Sequence, residues 1–544
     1  MRYLIYTILA FFLSSNILIE DSFARSKRKN KSSKRSHSSI KKRSKKLSMN
    51  KDDNRFDKIK TAYRKGKISK PQLWKELQYF ENSSNKLSNS NDLKLLQLQA
   101  IMMKTEGYPI LSSLYAVEAL KNGKKASYKD TQAAWTLLAE TSRNYPIQNL
   151  LEQTAQSLKV KSAPPGFGNN WFYYEGNASY ADKHYKKALE YYKKIKINDR
   201  HFLSARYQMG NIFFAKDDLN NAILSFKTML NSVSQTLAPI SATEQKELSN
   251  YAKIALARVF YQQKKFKSAI KFYRSVDRDS TLFYDALFEQ SWAFFMGGYP
   301  NHALGALHGT ESPFFDKVFN PEASVLRAIT YYWMCRYEDS RTALADFTDR
   351  HSEAVESLSE FLDRKRLRPE TAYQLFENYA LGVSSSSLGI PKNVLDSASS
   401  TESMTLLRNQ YAALVEEADK VSSLGIFRQK KNLRATKLLR GQLKTLKKEL
   451  GSQFIVELKG LKNQFERLYE QSQFLYVELL MSEKEQLLGR ELHASSKIDK
   501  VSRKKKIIGW GKNNQAWGSN GLNEFWWDEV GFYIYNIQPK CNTH

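Results

Sequence analysis

The sequence predicts an all-α fold: a solenoid of helical hairpins, then a long coiled-coil-like helix, then a short aromatic C-terminal segment. Three observations predict it. Small residues recur at a period of 34 through the middle of the chain, apolar residues keep helical spacing on either side, and from 439 to 468 they step by four and three. With 544 residues, 42 % of them hydrophobic and 13 % aromatic, the chain exceeds one ordinary domain and can build a sizeable core.

Arg2 precedes an apolar run from Leu4 to Leu13, continuing loosely to Ile19. Ser22-Phe23-Ala24 then places small residues at the two positions a signal peptidase reads, so residues 1–24 are expected to be a signal peptide. The alternative is an uncleaved anchor, although Ser14, Ser15 and Asn16 interrupt the run and leave it short of a comfortable span. Between Arg25 and Lys46 stand 12 Lys or Arg residues, a charge that opposes translocation when it directly follows an apolar core. Residues 25–54 form a basic tail too polar to bury apolar surface and are expected to stay disordered.

The net charge of +30 draws the chain to anionic partners without choosing among them. An exported chain would meet lipid headgroups or cell-wall polymers through Arg25–Lys46, and export disfavours nucleic acid; a solvated spacer is the plainer alternative for the tail. The expected location is the periplasm or cell envelope, free or peripheral to a membrane. Cys335 and Cys541 are the only cysteines, which excludes a disulfide framework and a cysteine-rich zinc site. One long-range disulfide and a buried, unpaired Cys335 both remain open.

Residues 55–160 carry Leu93, Leu96, Ala100 and Met103, then Leu111, Leu114, Tyr115 and Ala119, around Gly107-Tyr108-Pro109. Such spacing predicts several short antiparallel helices. A linker over 161–170 follows, where Pro164-Pro165-Gly166 cannot continue a helix.

The periodic region spans 171–350. A small residue falls at Ala188, Ala222, Ala269, Ala303 and Ser340, in steps of 34, 47, 34 and 37, the longest step holding an insertion from Asn231 to about Gln245. Twelve positions earlier stand Gly176, Gly210, Ala257, Ser291 and Ala328, all small; four positions later stand Tyr192, Phe226, Tyr273, Leu307 and Leu344, all large and apolar. Tyr185, Leu219 and Phe266 lie three before the first three markers.

This pattern resembles the tetratricopeptide repeat family, in which small, aromatic, Ala and aromatic residues follow at these offsets. The resemblance implies stacked helical pairs coiling into a superhelix with a concave inner face. This chain departs from the family in lacking the terminal Pro in most repeats, in shifting Tyr299 by one position and in placing Ser340 where Ala is usual. The family's groove positions map onto Tyr173, Asn177 and Tyr180 in the first repeat and onto Tyr207, Asn211 and Phe214 in the second. Arg258 and Tyr261 follow in the third, Phe288, Trp292 and Phe295 in the fourth, and Tyr332 in the fifth. By resemblance, Asn177 and Asn211 would hydrogen-bond an extended peptide. Tyr173 and Tyr207 stand where carboxylate-gripping members carry Lys, so an apolar helix or extended segment is the expected occupant. The alternative is that these aromatics are core, as helical aromatic stripes usually are.

Beyond 350 the period changes. Residues 351–403 are expected as loop and helices, with loops at Ser384–Ser387 and Asp396–Ser403. Residues 404–500 are expected as a hairpin, Leu407–Val421 folding back on a long helix marked by Leu439, Leu443, Leu446, Leu450, Phe454, Leu458, Leu461, Phe465 and Leu468. Gly441, Gly451 and Gly460 each weaken that helix by roughly 1 kcal/mol, so it should lean on the rest of the protein or on a second copy. Residues 501–544 combine a Gly/Asn-rich loop with a strand-like run from Phe525 to Tyr535, and burial as a cap is expected. This segment is similar to the C-terminal segments of large envelope repeat proteins of gliding and predatory bacteria.

Nothing in the sequence points to chemistry. The eight histidines include no pair at ligand spacing and no HExxH, no GxSxG occurs, and Gly166-Phe167-Gly168 and Gly509-Trp510-Gly511 lack a phosphate-loop context. Asp528 and Glu529, adjacent in an extended run, would point to opposite faces. The expectation is a non-enzymatic scaffold, without metal or cofactor, whose groove holds proteins of an envelope machinery for motility, secretion or wall assembly. The alternative is a wall- or glycan-binding protein acting through its aromatic C-terminal segment.

Overall fold

The computed structural model describes residues 51–69, 72–73, 75–76, 79–80, 89–123, 128–145, 148–158, 160, 163–164, 168–235, 241–363, 367–423, 434–487, 516–517 and 527–541. The expected signal peptide, and the basic tail as far as residue 50, lie outside them. The fold is all-α. In chain order the helices are α1 (Lys51–Arg64), α2 (Asn89–Thr105), α3 (Pro109–Asn122), α4 (Tyr128–Asn144), α5 (Gln148–Ser157), α6 (Asn169–Ala181), α7 (Tyr185–Tyr192), α8 (Phe202–Ala215), α9 (Leu219–Ser232) and α10 (Ala242–Gln262). There follow α11 (Phe266–Tyr273), α12 (Phe283–Met296), α13 (Pro300–Thr310), α14 (Pro321–Trp333), α15 (Tyr337–Asp363), α16 (Pro369–Ala380), α17 (Ser385–Leu388), α18 (Lys392–Ser400), α19 (Glu402–Ser423) and α20 (Arg434–Leu487). No helix among the described residues is long and apolar enough to cross a membrane.

The chain divides into two compact units: residues 51–174 with 402–450, and residues 175–401 with 451–541. In the first, Leu93, Leu96, Ala100 and Met103 of α2 meet Ile110, Leu111, Leu114 and Tyr115 of α3 in one core with Leu414 and Val421 of α19 and Ala435, Leu439 and Leu446 of α20. The Glu402–Ser423 helix shares this core with the start of the long one. Pro109 opens α3, where its missing N–H costs nothing. The buried Glu417 carboxylate accepts from the amides of Ile110 at 3.0 Å and Leu111 at 2.6 Å, a negative charge at the positive end of that helix.

The second unit contains the repeats from residue 175 on. Hairpins α6–α7, α8–α9, α10–α11, α12–α13 and α14–α15, called I to V, share one construction. All five marker residues, Ala188, Ala222, Ala269, Ala303 and Ser340, are fully buried. The small residues twelve positions earlier are there because of the large ones sixteen positions on. A Cβ on Gly176 would lie 2.4 Å from the Tyr192 ring, and one on Gly210 would lie 2.3 Å from the Phe226 ring. In hairpin V the Ser340 hydroxyl donates to the Ala328 carbonyl at 2.9 Å, so serine replaces alanine by finding a partner across the helix pair.

The turns are equally uniform. Five positions before each marker the backbone is left-handed, at Lys183, Asp217, Lys264, Gly298 and Cys335. At every turn that residue's amide bonds the carbonyl three back, and the next amide bonds the carbonyl five back, as His184 does to Ser179 at 2.8 Å and Arg336 to Tyr331 at 3.0 Å. These bonds satisfy the last carbonyls of each first helix. Four of the five residues are not glycine and each bears roughly 1 kcal/mol of steric strain.

The same construction recurs in the other unit. Gly107 is left-handed, Tyr108 N–H bonds Met103 at 2.8 Å, and the buried Ser112 hydroxyl donates to the Ala100 carbonyl at 2.7 Å. Residues 89–122 thus form a hairpin of this type that the sequence reading treated only as antiparallel helices.

Two boundaries differ from the sequence expectation. Residues 51–54, assigned to the basic tail, belong to α1, and the Ser-rich stretches expected as loops begin α17 and form most of α18. In α18, Val394, Leu395 and Ala398 recur at helical spacing and are buried, which outweighs the serines' preference for turns.

From residue 451, α20 runs antiparallel to α15, stacking where a further hairpin would begin. Glu483 pairs with Arg341, the Tyr332 hydroxyl lies 2.9 Å from Ser482, Phe465 stacks on Phe347 with ring centres 5.4 Å apart, and Lys462 reaches Asp363 at 4.0 Å. Gly451 is required: a Cβ there would sit 1.8 Å from the Pro369 carbonyl oxygen. The helix leans on its own chain through Phe454, Leu458, Phe465, Leu468, Leu475 and Leu479, all buried.

The C-terminal segment lies along hairpin IV. Only Ile534–Tyr535 is a strand, paired in parallel with Ala516–Trp517; residues 527–532 are turns, so the longer strand-like run is not formed. Glycines admit this backbone, since a Cβ on Gly305 would fall 1.9 Å from the Tyr533 carbonyl oxygen and one on Gly309 3.4 Å from the Gly531 nitrogen. Asn301 pairs with both backbone groups of Ile537, at 3.0 and 3.3 Å. Cys335 and Cys541 form a disulfide, resolving the choice between pairing and a free thiol.

Candidate protein-binding groove

The twelve expected groove positions fall on the first helices of the hairpins, eight, eleven and fifteen residues before the markers. They do not share one environment. Tyr173, Asn177, Tyr180, Tyr207, Asn211 and Phe214, in hairpins I and II, are all half-buried. Arg258 is half-buried too, while Tyr261, Phe288, Trp292, Phe295 and Tyr332 are buried, with Tyr261 2 % and Trp292 3 % exposed. The expected aromatic row is therefore closed at Tyr261, Phe288, Trp292, Phe295 and Tyr332, and partly exposed only in hairpins I and II and at Arg258.

Contacts explain the difference. The Asn177 side-chain oxygen accepts the Tyr192 hydroxyl at 2.7 Å, holding the asparagine in place within its own hairpin. Tyr207 packs at a tilt on Phe226 and edge-on against Tyr251 and keeps part of its surface open. Farther along, Trp292, Phe295 and Tyr332 are taken up by the next layer, and Tyr261 packs edge-on against Phe266 of its own hairpin. The Trp292 indole donates to Glu322 at 3.0 Å, Phe295 meets the Trp333 ring, and Tyr332 reaches Ser482.

Arg258 has a structural task. It is held by the buried Glu289 carboxylate through contacts of 2.9 and 2.6 Å, and the Tyr273 hydroxyl donates to the same carboxylate at 2.9 Å. Burial pulls the guanidinium pKa down, but Glu289 more than offsets this and raises it. Burial pushes the Glu322 carboxyl up to about 7, with the Trp292 hydrogen bond opposing and the charge of Glu289 adding to the shift. Sequence reasoning does not find Glu289 and Glu322, because an acidic residue in an apolar helix does not announce its partner.

The left-handed turn positions were missed as well. Only Gly298 carries the usual sign; Lys183, Asp217, Lys264 and Cys335 do not, although their constant distance from the markers could have exposed them. No family model matches the chain, and no curated protein matches it. The first helices of hairpins I and II present half-buried tyrosine, phenylalanine and asparagine, and no cluster of three metal-ligating side chains occurs among the described residues.

Proposed function

We propose that this chain is an exported tetratricopeptide-type scaffold that acts without chemistry of its own, holding an apolar helix or extended segment of a cell-envelope protein against hairpins I and II. The observation that carries this reading is the half-open row Asn177, Tyr180, Tyr207, Asn211 and Phe214 on uniformly built hairpins. Aromatic rings there offer apolar contact at low entropic cost, and amides offer donors and acceptors to a peptide backbone. The Cys335–Cys541 disulfide supports an oxidising compartment, and with it the apolar N-terminus as an export signal. Residues 25–46 would add electrostatic attraction to an anionic envelope surface.

The scaffold reading is favoured over a glycan-binding C-terminal segment by how that segment is used. Val530, Tyr533, Ile534 and Ile537 are buried against the helices, while Trp527, 41 % exposed, touches Phe283, Phe314 and Phe315 by one side, so most but not all of the described apolar side chains of that segment are occupied.

The test is photo-crosslinking in cells, with a photoreactive residue at Asn211 and, as a control, at Leu224 on the exposed outer side of hairpin II. Capture of a discrete envelope protein from 211 and not from 224 supports the proposal. Capture from neither site, or equal capture from both, refutes it.

A further inference from the structure

The last turns of α20 carry two apolar stripes. Leu475 and Leu479, with Ser472 and Ser482, face hairpin V and are buried. On the other side Phe474, Val477 and Met481 are 64 %, 54 % and 58 % exposed, and Tyr476 and Leu480 are exposed beside them. Repeat stacks that end in water need a polar outer face, and a contiguous apolar patch marks an interface. This stack ends among the described residues on an apolar one.

We propose that a second copy of the chain covers this face, α20 packing antiparallel on α20 about a two-fold axis through Val477. The order of residues along the stripe argues for a copy of the same helix in that direction. At about 100° per residue, positions 470, 473, 474, 477, 480, 481 and 484 lie within about 60° of Val477. Glu470 and Lys484, both exposed, stand at the two ends, each seven residues from Val477. An antiparallel pair centred there sets Glu470 of each copy opposite Lys484 of the other and brings each Phe474 against Leu480. A parallel pair would oppose like charges at both ends. The antiparallel contact is isologous and closes on itself as a dimer. It also continues an interface already made, since the same helix buries its opposite stripe on hairpin V.

Sedimentation equilibrium on the intact chain tests the contact. The wild type should rise toward twice the monomer mass with concentration. Val477→Glu, which places two carboxylates on the axis, should remain a monomer with unchanged helix content by circular dichroism. Glu470→Lys and Lys484→Glu should each weaken the dimer by about fivefold through like-charge pairs, and the double variant should recover wild-type affinity. A wild type that stays monomeric, a Val477→Glu chain that dimerises normally, or a double variant no tighter than either single one overturns the proposal. Recovery in the double variant cannot come from a covering segment of the same chain or from an unrelated partner.

Discussion

Asn211 and Trp292 stand at the same place in two hairpins, eleven residues before Ala222 and Ala303, and meet opposite surroundings. Asn211 keeps part of its surface in solvent; Trp292 is buried, with its indole N–H on the Glu322 carboxylate. The turns, the small-residue contacts and the marker positions of the two hairpins are alike, so the backbone does not cause the difference. Side-chain size and the next layer do. In hairpin IV, with Phe288, Trp292 and Phe295 at positions fifteen, eleven and eight, all three rings are buried. In hairpins I and II, with asparagine in the middle, the flanking Tyr173, Tyr180, Tyr207 and Phe214 stay half-buried.

The largest effect should come from truncating the same position in each class. Trp292→Ala should lower stability by about 4 kcal/mol, because it empties a buried site and strands a carboxylate. Asn211→Ala should cost under about 1 kcal/mol and instead abolish capture of the partner. Denaturant titration of both variants checks the pair, and equal losses of stability would erase the distinction between closed and open hairpins.

Arg258 lies on the border between the classes and sharpens it. Arg258→Met should destabilise by about 3 kcal/mol by leaving Glu289 buried without its cation. Adding Glu289→Leu should recover most of that loss. A groove-lining arginine would give a small change in stability and no such recovery.

A smaller, pH-dependent effect is expected at Glu322. Its folded pKa of about 7 stands above the model-peptide value, so the folded state binds the proton more tightly. The unfolded carboxyl ionises first as pH rises, and stability should decline from about pH 4.5 to pH 7. Glu322→Gln removes this decline, so the variant should gain about 2 kcal/mol on the wild type between pH 5 and pH 8. Unfolding titrations at those two pH values measure it. At the place equivalent to Glu322, eighteen residues before the marker, hairpins I and II carry Asn170 and Ser204, so no matching pH dependence is expected there.

Much of the fold was legible because close packing constrains residue size. Gly176 beneath Tyr192 and Gly210 beneath Phe226 admit no side chain, and that constraint returns in each hairpin as a visible period. Apolar spacing from Leu439 to Leu468 likewise announced α20, although the sequence could not show that it packs on its own chain. The turns were harder to read, since a left-handed Lys or Asp is tolerated locally and leaves no residue preference behind. The course of the C-terminal segment was hidden for another reason: the room that Gly305 and Gly309 leave has no meaning until the backbone that lies over them is known. The positions assigned to a groove by resemblance fall on first helices, but whether an aromatic there is open depends on the next layer, which no pattern within one repeat encodes.

Hydroxyl-radical footprinting of the intact chain, read residue by residue by mass spectrometry, tests the contrast between open and closed hairpins most directly. Tyr180, Tyr207 and Phe214 should be modified several-fold faster, relative to free side chains, than Tyr261, Phe288, Trp292 and Phe295. Similar rates in the two sets, or faster modification of Trp292 than of Tyr207, would contradict the account.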